Sequence, residues 1–205
     1  NYSMTSEIST QTQTEKRSIW QSDATQKLAT FGALIAMFIF FSFASPYFMQ
    51  FSNIVGILLA TSVNGILALG ATFVIISGGI DLSVGTVMTL SAVMTGVFIT
   101  NLGLPVPLGI LGGLATGAFA GLVNGTVIAK MKLPPFIATL GMLYIAKGLA
   151  LVISDLKPIY FTETPSFQQV AMGSVTGSII PGFDIPNAVL IFFGAALIAN
   201  FILSR

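Results

Sequence analysis

The sequence predicts an all-α integral membrane protein, a polytopic bundle of about six transmembrane helices. Of its 205 residues, 54% are hydrophobic and only 7% are charged, whereas a soluble domain carries roughly 25% charged residues. The apolar residues form long uninterrupted blocks, and roughly 20 helical residues span a bilayer core about 30 Å thick. Because lipid offers no hydrogen-bond partners to the backbone, these blocks are expected to be helical.

Six spans are predicted, one from each apolar block. They cover residues 28–44, 54–77, 82–100, 108–129, 136–153 and 188–203. Residues 1–27, rich in Ser, Thr and Gln, have too little apolar surface to fold alone and are predicted to form a disordered polar tail. Docking on a cytoplasmic partner is the alternative for this tail. The permease domain would take in residues 28–205, with an outer loop at 154–187.

The basic residues predict that the amino end is cytoplasmic. Six spans place most of them on one side of the membrane: Lys16, Arg17, Lys27, Lys130, Lys132 and Arg205. The other side holds only Lys157 in its loops. Because cytoplasmic loops carry an excess of Lys and Arg, the first set is expected inside and the loop at 154–187 outside.

Several kinds of chemistry are excluded by the residues present. The chain has no Cys and no His, which removes disulfides, thiolate or histidine metal sites and histidine-based catalysis. No catalytic residue and no metal site are therefore predicted. A phosphate-binding Gly-x-x-x-x-Gly-Lys-Ser/Thr loop is absent from the sequence, and its few basic residues form no dense run for nucleic acid.

A break between the second and third spans is the first candidate site. Two adjacent glycines, Gly78 and Gly79, end the helix, and Asp81, Ser83 and Gly85 follow. On one interpretation, Asp81 or Ser83 caps the third helix. On the other, the irregular segment lines or gates a water-filled path, where an ionisable residue marks transport.

Two deep asparagines belong to the same candidate path. Asn64 and Asn124 are the neutral polar residues placed farthest inside their spans. Such a residue either bonds to a neighbouring helix or contacts hydroxyl groups of a substrate. Both interpretations stay open from the sequence.

The fourth span has a glycine at every fourth position. These residues are Gly109, Gly113, Gly117, Gly121 and Gly125. Because small residues let helix backbones approach closely in lipid, the spacing predicts a packed, central helix. Lining of a pathway is the alternative.

Two connections are candidate partner surfaces. Lys130, Lys132, Pro134 and Pro135 form a stiff basic corner after the fourth span, suited either to anchoring the chain or to docking a cytoplasmic partner. The outer loop at 154–187 contains four prolines and is long for a connector. It is expected to receive a substrate-delivering protein or to cap the outer mouth.

Residues 69–85, 124–125 and 135–142 resemble the signatures of ribose/xylose/galactose-type ABC transporter permeases. The resemblance implies a subunit that translocates a monosaccharide across the bacterial inner membrane. It also implies partners: a second permease copy or paralogue, ATPase subunits that bind ATP and Mg²⁺, and a periplasmic or lipid-anchored sugar-binding protein.

One departure from this family pattern concerns length. Family members continue beyond the position of Arg205, and this chain begins with Asn1 rather than Met. We therefore expect an amino-terminal fragment whose residues for coupling to the ATPase lie further on. The alternative function is a gradient-driven transporter or channel for a small polar solute, with Asp81 as its ion site.

Overall fold

The computed structural model describes residues 23–180, 182 and 184–204. All regular structure in this part of the chain is helical. The helices are α1 Asp23–Ala44, α2 Phe51–Ile76, α3 Val84–Gly96, α4 Val106–Met131, α5 Pro135–Ile153, α6 Pro165–Met172, α7 Val175–Ile179 and α8 Asn187–Leu203. A π-helical turn, Val97–Asn101, continues α3.

Within the described part of the chain, five helical stretches are long and apolar enough to cross a membrane, which confirms the polytopic helical fold. They are Thr25–Ala44, Phe51–Ile76, Val84–Asn101, Val106–Met131 and Pro135–Ile153. The sixth predicted span corresponds to α8, which is apolar but has only 17 residues. The first helix begins at Asp23, before the predicted start at Leu28, so residues 23–27 are not part of a disordered tail. Residues 1–22 of that tail lie outside the described residues.

The chain divides into two compact units, residues 1–53 and 54–205. Within the described part of the first unit, α1 is followed by a turn that folds back on its own last residues. Phe48 lies with its ring centroid 5.2 Å from that of Phe38 and 5.8 Å from that of Phe41. The second unit contains α3–α8 and nearly all of α2.

Proline sets the start of several helices in the second unit. Pro105, Pro134 and Pro186 occupy the N-cap positions of α4, α5 and α8, and Pro165 is the first residue of α6. At these positions the fixed φ of proline suits the helix start, and its missing N–H would have had no partner within the helix.

The core of the second unit is built on α3, which packs against α4 and α5. Leu90 of α3 is buried against Ala146 and Ala150 of α5. The outward faces of the helices are apolar instead of polar: Leu114 and Phe119 on α4 are 65% and 67% exposed. Apolar faces of this extent require lipid around them.

Glycines on α4 let α3 and its π-helical continuation approach closely. Gly109 lies against the side chain of Ile99, and Gly112 against the ring of Phe98. At Gly113 an added Cβ would collide with Thr95 Oγ1 and would lie 2.9 Å from the carbonyl oxygen of Ser91. A side chain at Gly109 or Gly112 would require Ile99 or Phe98 to move, and one at Gly113 would press on the backbone of α3.

The segment from 154 to 187 folds as a feature of its own around α6 and α7. Asn187, at the start of α8, accepts a hydrogen bond from the backbone N–H of Val175 and donates one to the carbonyl oxygen of Gln169. Ile159 reaches α3, where an added Cβ at Gly96 would lie 2.9 Å from it. The segment therefore covers the end of α3 opposite to Ser83.

Candidate functional site

The turn between α2 and α3 begins with a glycine-dependent helix end. Gly78 has φ of +77°, and its N–H bonds to the carbonyl oxygen of Ile75 at 2.9 Å. The N–H of Gly79 bonds to the carbonyl oxygen of Val74 at 3.0 Å. This pair of bonds is the Schellman arrangement, in which glycine adopts the left-handed conformation without strain. It turns the chain so that Asp81 and Ser83 point back among the helices.

Three polar side chains form a hydrogen-bonded chain across this turn. The hydroxyl of Ser83 donates to Asp81 Oδ1 at 2.6 Å, and Asn124 Nδ2 of α4 donates to Ser83 Oγ at 3.2 Å. Ser83 is fully buried and Asn124 is 8% exposed. The sequence separation of 41 residues between Ser83 and Asn124 means that helix packing, not local folding, brings them together.

The direction of this chain is fixed by the carboxylate of Asp81. An ionised carboxylate only accepts hydrogen bonds, so the Ser83 proton must point toward Asp81. The Ser83 oxygen then accepts from the amide nitrogen of Asn124, which turns the amide oxygen of Asn124 away. Among the described residues, neither that oxygen nor Asp81 Oδ2 has a hydrogen-bond partner. Two acceptors are therefore available to a ligand.

At the start of α3, the hydrogen bond to the backbone is made by the side chain of Asp81 and not by that of Ser83. Ser83 occupies the N-cap position of α3, but its side chain makes no capping bond. Asp81 Oδ1 instead accepts the backbone N–H of Ser83 itself, at 2.7 Å. Gly85, in the first turn of α3, is exposed and has no atom within 4 Å of an added Cβ. The carboxylate thus lies just before the positive end of the helix dipole, where negative charge is favoured.

The turn also contacts the basic corner between α4 and α5. Thr139, only 2% exposed, has its hydroxyl 3.1 Å from the carbonyl oxygen of Ile80 and 2.9 Å from that of Pro135. An added Cβ at Gly79 would lie 3.7 Å from Pro135. The predicted gate and the predicted docking corner are therefore neighbours at one end of the second unit.

The basic residues of that corner remain accessible. Lys132 ends α4 in the left-handed conformation, with φ of 55°, and Pro134 starts α5 two residues later. Lys130 and Lys132 are exposed, and neither forms an ion pair with a described residue. Their charges face outward, away from the polar chain.

Two cavities lie between α2, α3 and α4. The first, called here the polar cavity, has a volume of about 210 Å³ and is lined by Asp81, Ser83 and Asn124 together with small and apolar residues. The second, called the wide cavity, has a volume of about 880 Å³ and a mostly apolar lining. Phe161 and Phe167, whose ring centroids are 4.2 Å apart, cover the wide cavity from the 154–187 segment.

The structure separates residues that the sequence had grouped. Asn64 is exposed on α2 and bonds to no described side chain, in contrast to Asn124. In the glycine series, Gly109 and Gly113 pack against α3 and its continuation, while Gly117 and Gly121 line cavities. Gly121 and Gly125 have no atom within 4 Å of an added Cβ, so close packing does not explain them.

Sequence reasoning missed three features of this site. Thr139 was noted only as part of the stretch 135–142 that carries the family resemblance, with no role of its own. Phe161 and Phe167 stand in a loop, and nothing in their spacing predicted that they would cover a cavity. Gly70, which lines both cavities, was quoted only as part of a recurring stretch. Ile66 lines the wide cavity and Val74 the polar cavity, and the spacing of four residues between each of them and Gly70 is the signal that could have indicated a shared helix face.

Comparison with known proteins gives the family. Residues 53–205 match the family model described as branched-chain amino acid transport system / permease component. The ribose import permease protein RbsC of Bacillus subtilis (strain 168) is 38% identical over 184 residues, which cover 89% of this chain and 57% of the relative. The fructose import permease protein FrcC of Rhizobium meliloti is 43% identical over 166 residues, covering 80% of this chain and 42% of the relative.

A third relative is the D-allose transport system permease protein AlsC of Escherichia coli (strain K12), which is 34% identical over 169 residues, or 82% of this chain and 52% of the relative. The chain thus spans about half the length of the curated relatives it matches. No solved structure matches it. The family match covers most of the chain and confirms the resemblance seen in residues 69–85 and 135–142. The chain therefore belongs to the branched-chain amino acid transport system / permease component family.

Proposed function

We propose that this chain is the membrane-spanning permease part of an ATP-binding-cassette importer that carries a monosaccharide across the bacterial cytoplasmic membrane. The observation that carries the proposal is the chain formed by Asp81, Ser83 and Asn124 on a cavity between apolar helices. Polar and ionisable groups are costly at membrane depth and mark solute paths when they face a cavity.

The chemistry of the polar cavity supports a neutral solute rich in hydroxyl groups. Asp81 Oδ2 and the amide oxygen of Asn124 are acceptors, so they suit a ligand that donates hydrogen bonds. Relatives named for ribose, fructose and D-allose support the sugar class. No covalent step is needed, because the solute leaves the path unchanged, and the chain is proposed to be a transport component and not an enzyme.

The energy is proposed to come from partner subunits. ATPase subunits that bind ATP and Mg²⁺ would drive a pair of permeases, made of two copies or of this chain with a paralogue. A periplasmic or lipid-anchored sugar-binding protein would deliver the cargo to the side of the 154–187 segment. Each partner acts by binding one state of the helices more tightly than the other.

The contact between the basic corner and the Gly-Gly turn supports this arrangement. Thr139 lies next to Pro135 of the corner and Ile80 of the turn, and Ser83 follows three residues after Ile80. A partner that displaces the corner would therefore move the residues that present Asp81 and Ser83 to the polar cavity. Packed elements with two arrangements can transmit such a displacement.

The experiment is uptake into liposomes. The full-length permease is reconstituted with its ATPase subunits and binding protein, and labelled pentoses and hexoses are supplied with ATP and Mg²⁺. We expect uptake that stops when the ATPase, the binding protein or ATP is omitted, and the labelled panel identifies the sugar. Uptake that persists without ATP and follows an ion gradient would overturn the proposal and make Asp81 the candidate coupling site.

A further inference from the structure

The wide and polar cavities follow one another along the same helices. On α2, Ile66 lines the wide cavity and Val74 the polar cavity, while Gly70 between them lines both. These three residues are four positions apart and so lie on one face of the helix. The change from one cavity to the other therefore occurs at the level of Gly70.

On α3 and α4, the lining also passes from the wide cavity to the polar cavity at a matching level. On α4, Gly113 lines the wide cavity and Gly121 the polar cavity, while Gly117 between them lines both. On α3 the change falls between Met88, which lines the wide cavity, and Val87, which lines the polar cavity. Three helices thus mark one boundary, and the two residues common to both cavities are glycines.

Open space lies beside Gly70 at this boundary, and one side-chain atom lies close to Gly117. A Cβ added at Gly70 meets no atom within 4 Å, and one added at Gly117 meets only Ser91 Oγ, at 3.1 Å. This differs from Gly113, one turn away, where an added Cβ collides with α3. A close approach of helices therefore does not account for Gly70 and Gly117.

A second observation is that a polar residue with an accessible acceptor lines the far side of this boundary. Asn124 lines the polar cavity and is 8% exposed, and its amide oxygen has no partner among the described residues. Because no fully buried side-chain acceptor among the described residues lacks a partner, this oxygen is accessible and can accept a hydrogen bond from a solute. Gly70 and Gly117 are the residues that line both cavities, so a solute moving from the wide cavity to Asn124 would pass beside them.

We propose that Gly70 and Gly117 form a neck between the two cavities, and that the absence of side chains at these positions sets the largest solute that passes. The proposal rests on the proposed transport function and assigns its size selectivity to two residues. A side chain at Gly70 would extend into the open space of the neck and narrow it without displacing a neighbouring helix.

Cysteine labelling tests the neck without knowledge of the cargo. The chain has no Cys, so A118C places a thiol on the wide cavity and G121C places one on the polar cavity. The full-length permease is reconstituted with its partners, and a membrane-impermeant methanethiosulfonate cation is added on the side of the 154–187 segment, with and without ATP. We expect G70L to slow labelling of G121C at least tenfold and to change labelling of A118C less than twofold.

G56L is the matched control, because Gly56 is also an exposed glycine of α2 with no atom within 4 Å of an added Cβ. It should leave both labelling rates unchanged. The proposal is overturned if G70L slows both thiols equally or neither, or if G121C fails to react from that side in both nucleotide conditions. Each of these outcomes would show that the cavities are not joined at Gly70.

A second arm tests size selectivity directly. Across G70A, G70V and G70L we expect hexose uptake to fall before pentose uptake, with both retained in G56L. If the unsubstituted complex takes up no sugar with ATP, the proposed function fails, while the labelling result still tests the neck. If it takes up sugar but the Gly70 series leaves the hexose-to-pentose ratio unchanged, the neck fails and the proposed function stands.

Discussion

At the scale of single residues, Ser83 holds the polar chain together. Its hydroxyl is the donor for Asp81 and the acceptor for Asn124, and Ser83 itself is fully buried. The direction of these bonds leaves the amide oxygen of Asn124 without a partner among the described residues, and Asn124 lines the polar cavity. The orientation of the Asn124 amide therefore depends on the Asp81 carboxylate, although the two side chains are linked only through Ser83.

We expect S83A to destabilise the permease by about 1 kcal/mol. Removing one partner leaves the Asn124 amide donor unpaired in a buried site, which costs roughly 1–3 kcal/mol, and interhelical bonds in membranes fall toward the low end of that range, with an average of about 0.6 kcal/mol. The measurement is thermal unfolding of the purified full-length permease in detergent.

T89A is the control, because Thr89 is exposed and its hydroxyl bonds only to the carbonyl oxygen of Gly85 within the same helix. It should leave the unfolding temperature nearly unchanged. Equal shifts for S83A and T89A would mean that the bond between helices contributes no more than a local one.

At the scale of elements, the glycines of α4 divide into two kinds. Gly113 admits α3 and has no space for a methyl group, whereas Gly125 has open space beside it. We expect G113A to destabilise the protein by about 1–3 kcal/mol through overpacking. In G125A, the loss of glycine from a helix interior should instead stabilise it by about 0.5–1 kcal/mol. Unfolding in detergent measures both, and a stabilising G113A would contradict the close packing of α3 and α4.

The same helix shows how far sequence reasoning reaches. Apolar blocks and the need to satisfy the backbone in lipid predicted six helices, each within about five residues of its observed ends, and the Gly-Gly pair predicted the end of α2. The spacing of the glycines predicted a single face of α4, but the partner of each glycine depends on where α3 crosses it. Contacts over a long sequence separation, such as Ser83 with Asn124, follow from that crossing and carry no local signal.

At the scale of the whole molecule, the second unit has different structural features at its two ends. The Gly-Gly turn meets the basic corner at one end through Thr139, and Ile159 of the 154–187 segment reaches Gly96 toward the other. The turn precedes α3 and the corner follows α4, so two spans separate them along the chain. Two spans return the chain to the same side of the membrane, and the contact between turn and corner agrees with this. Which of the two sides is cytoplasmic remains the prediction made from the basic residues.

The central claim is that solute passes through the polar cavity beside Asn124, and a comparison of two asparagines tests it most directly. Asn124 and Asn64 are both deep in their spans, but only Asn124 lines the polar cavity. ATP-dependent sugar uptake is measured for N124L and N64L in the reconstituted full-length complex, with ATP hydrolysis and permease content checked in the same liposomes. The account predicts at least a tenfold loss of uptake in N124L, equivalent to about 1.4 kcal/mol in the barrier, and less than a twofold loss in N64L. Equal losses, or a larger loss in N64L, would contradict it.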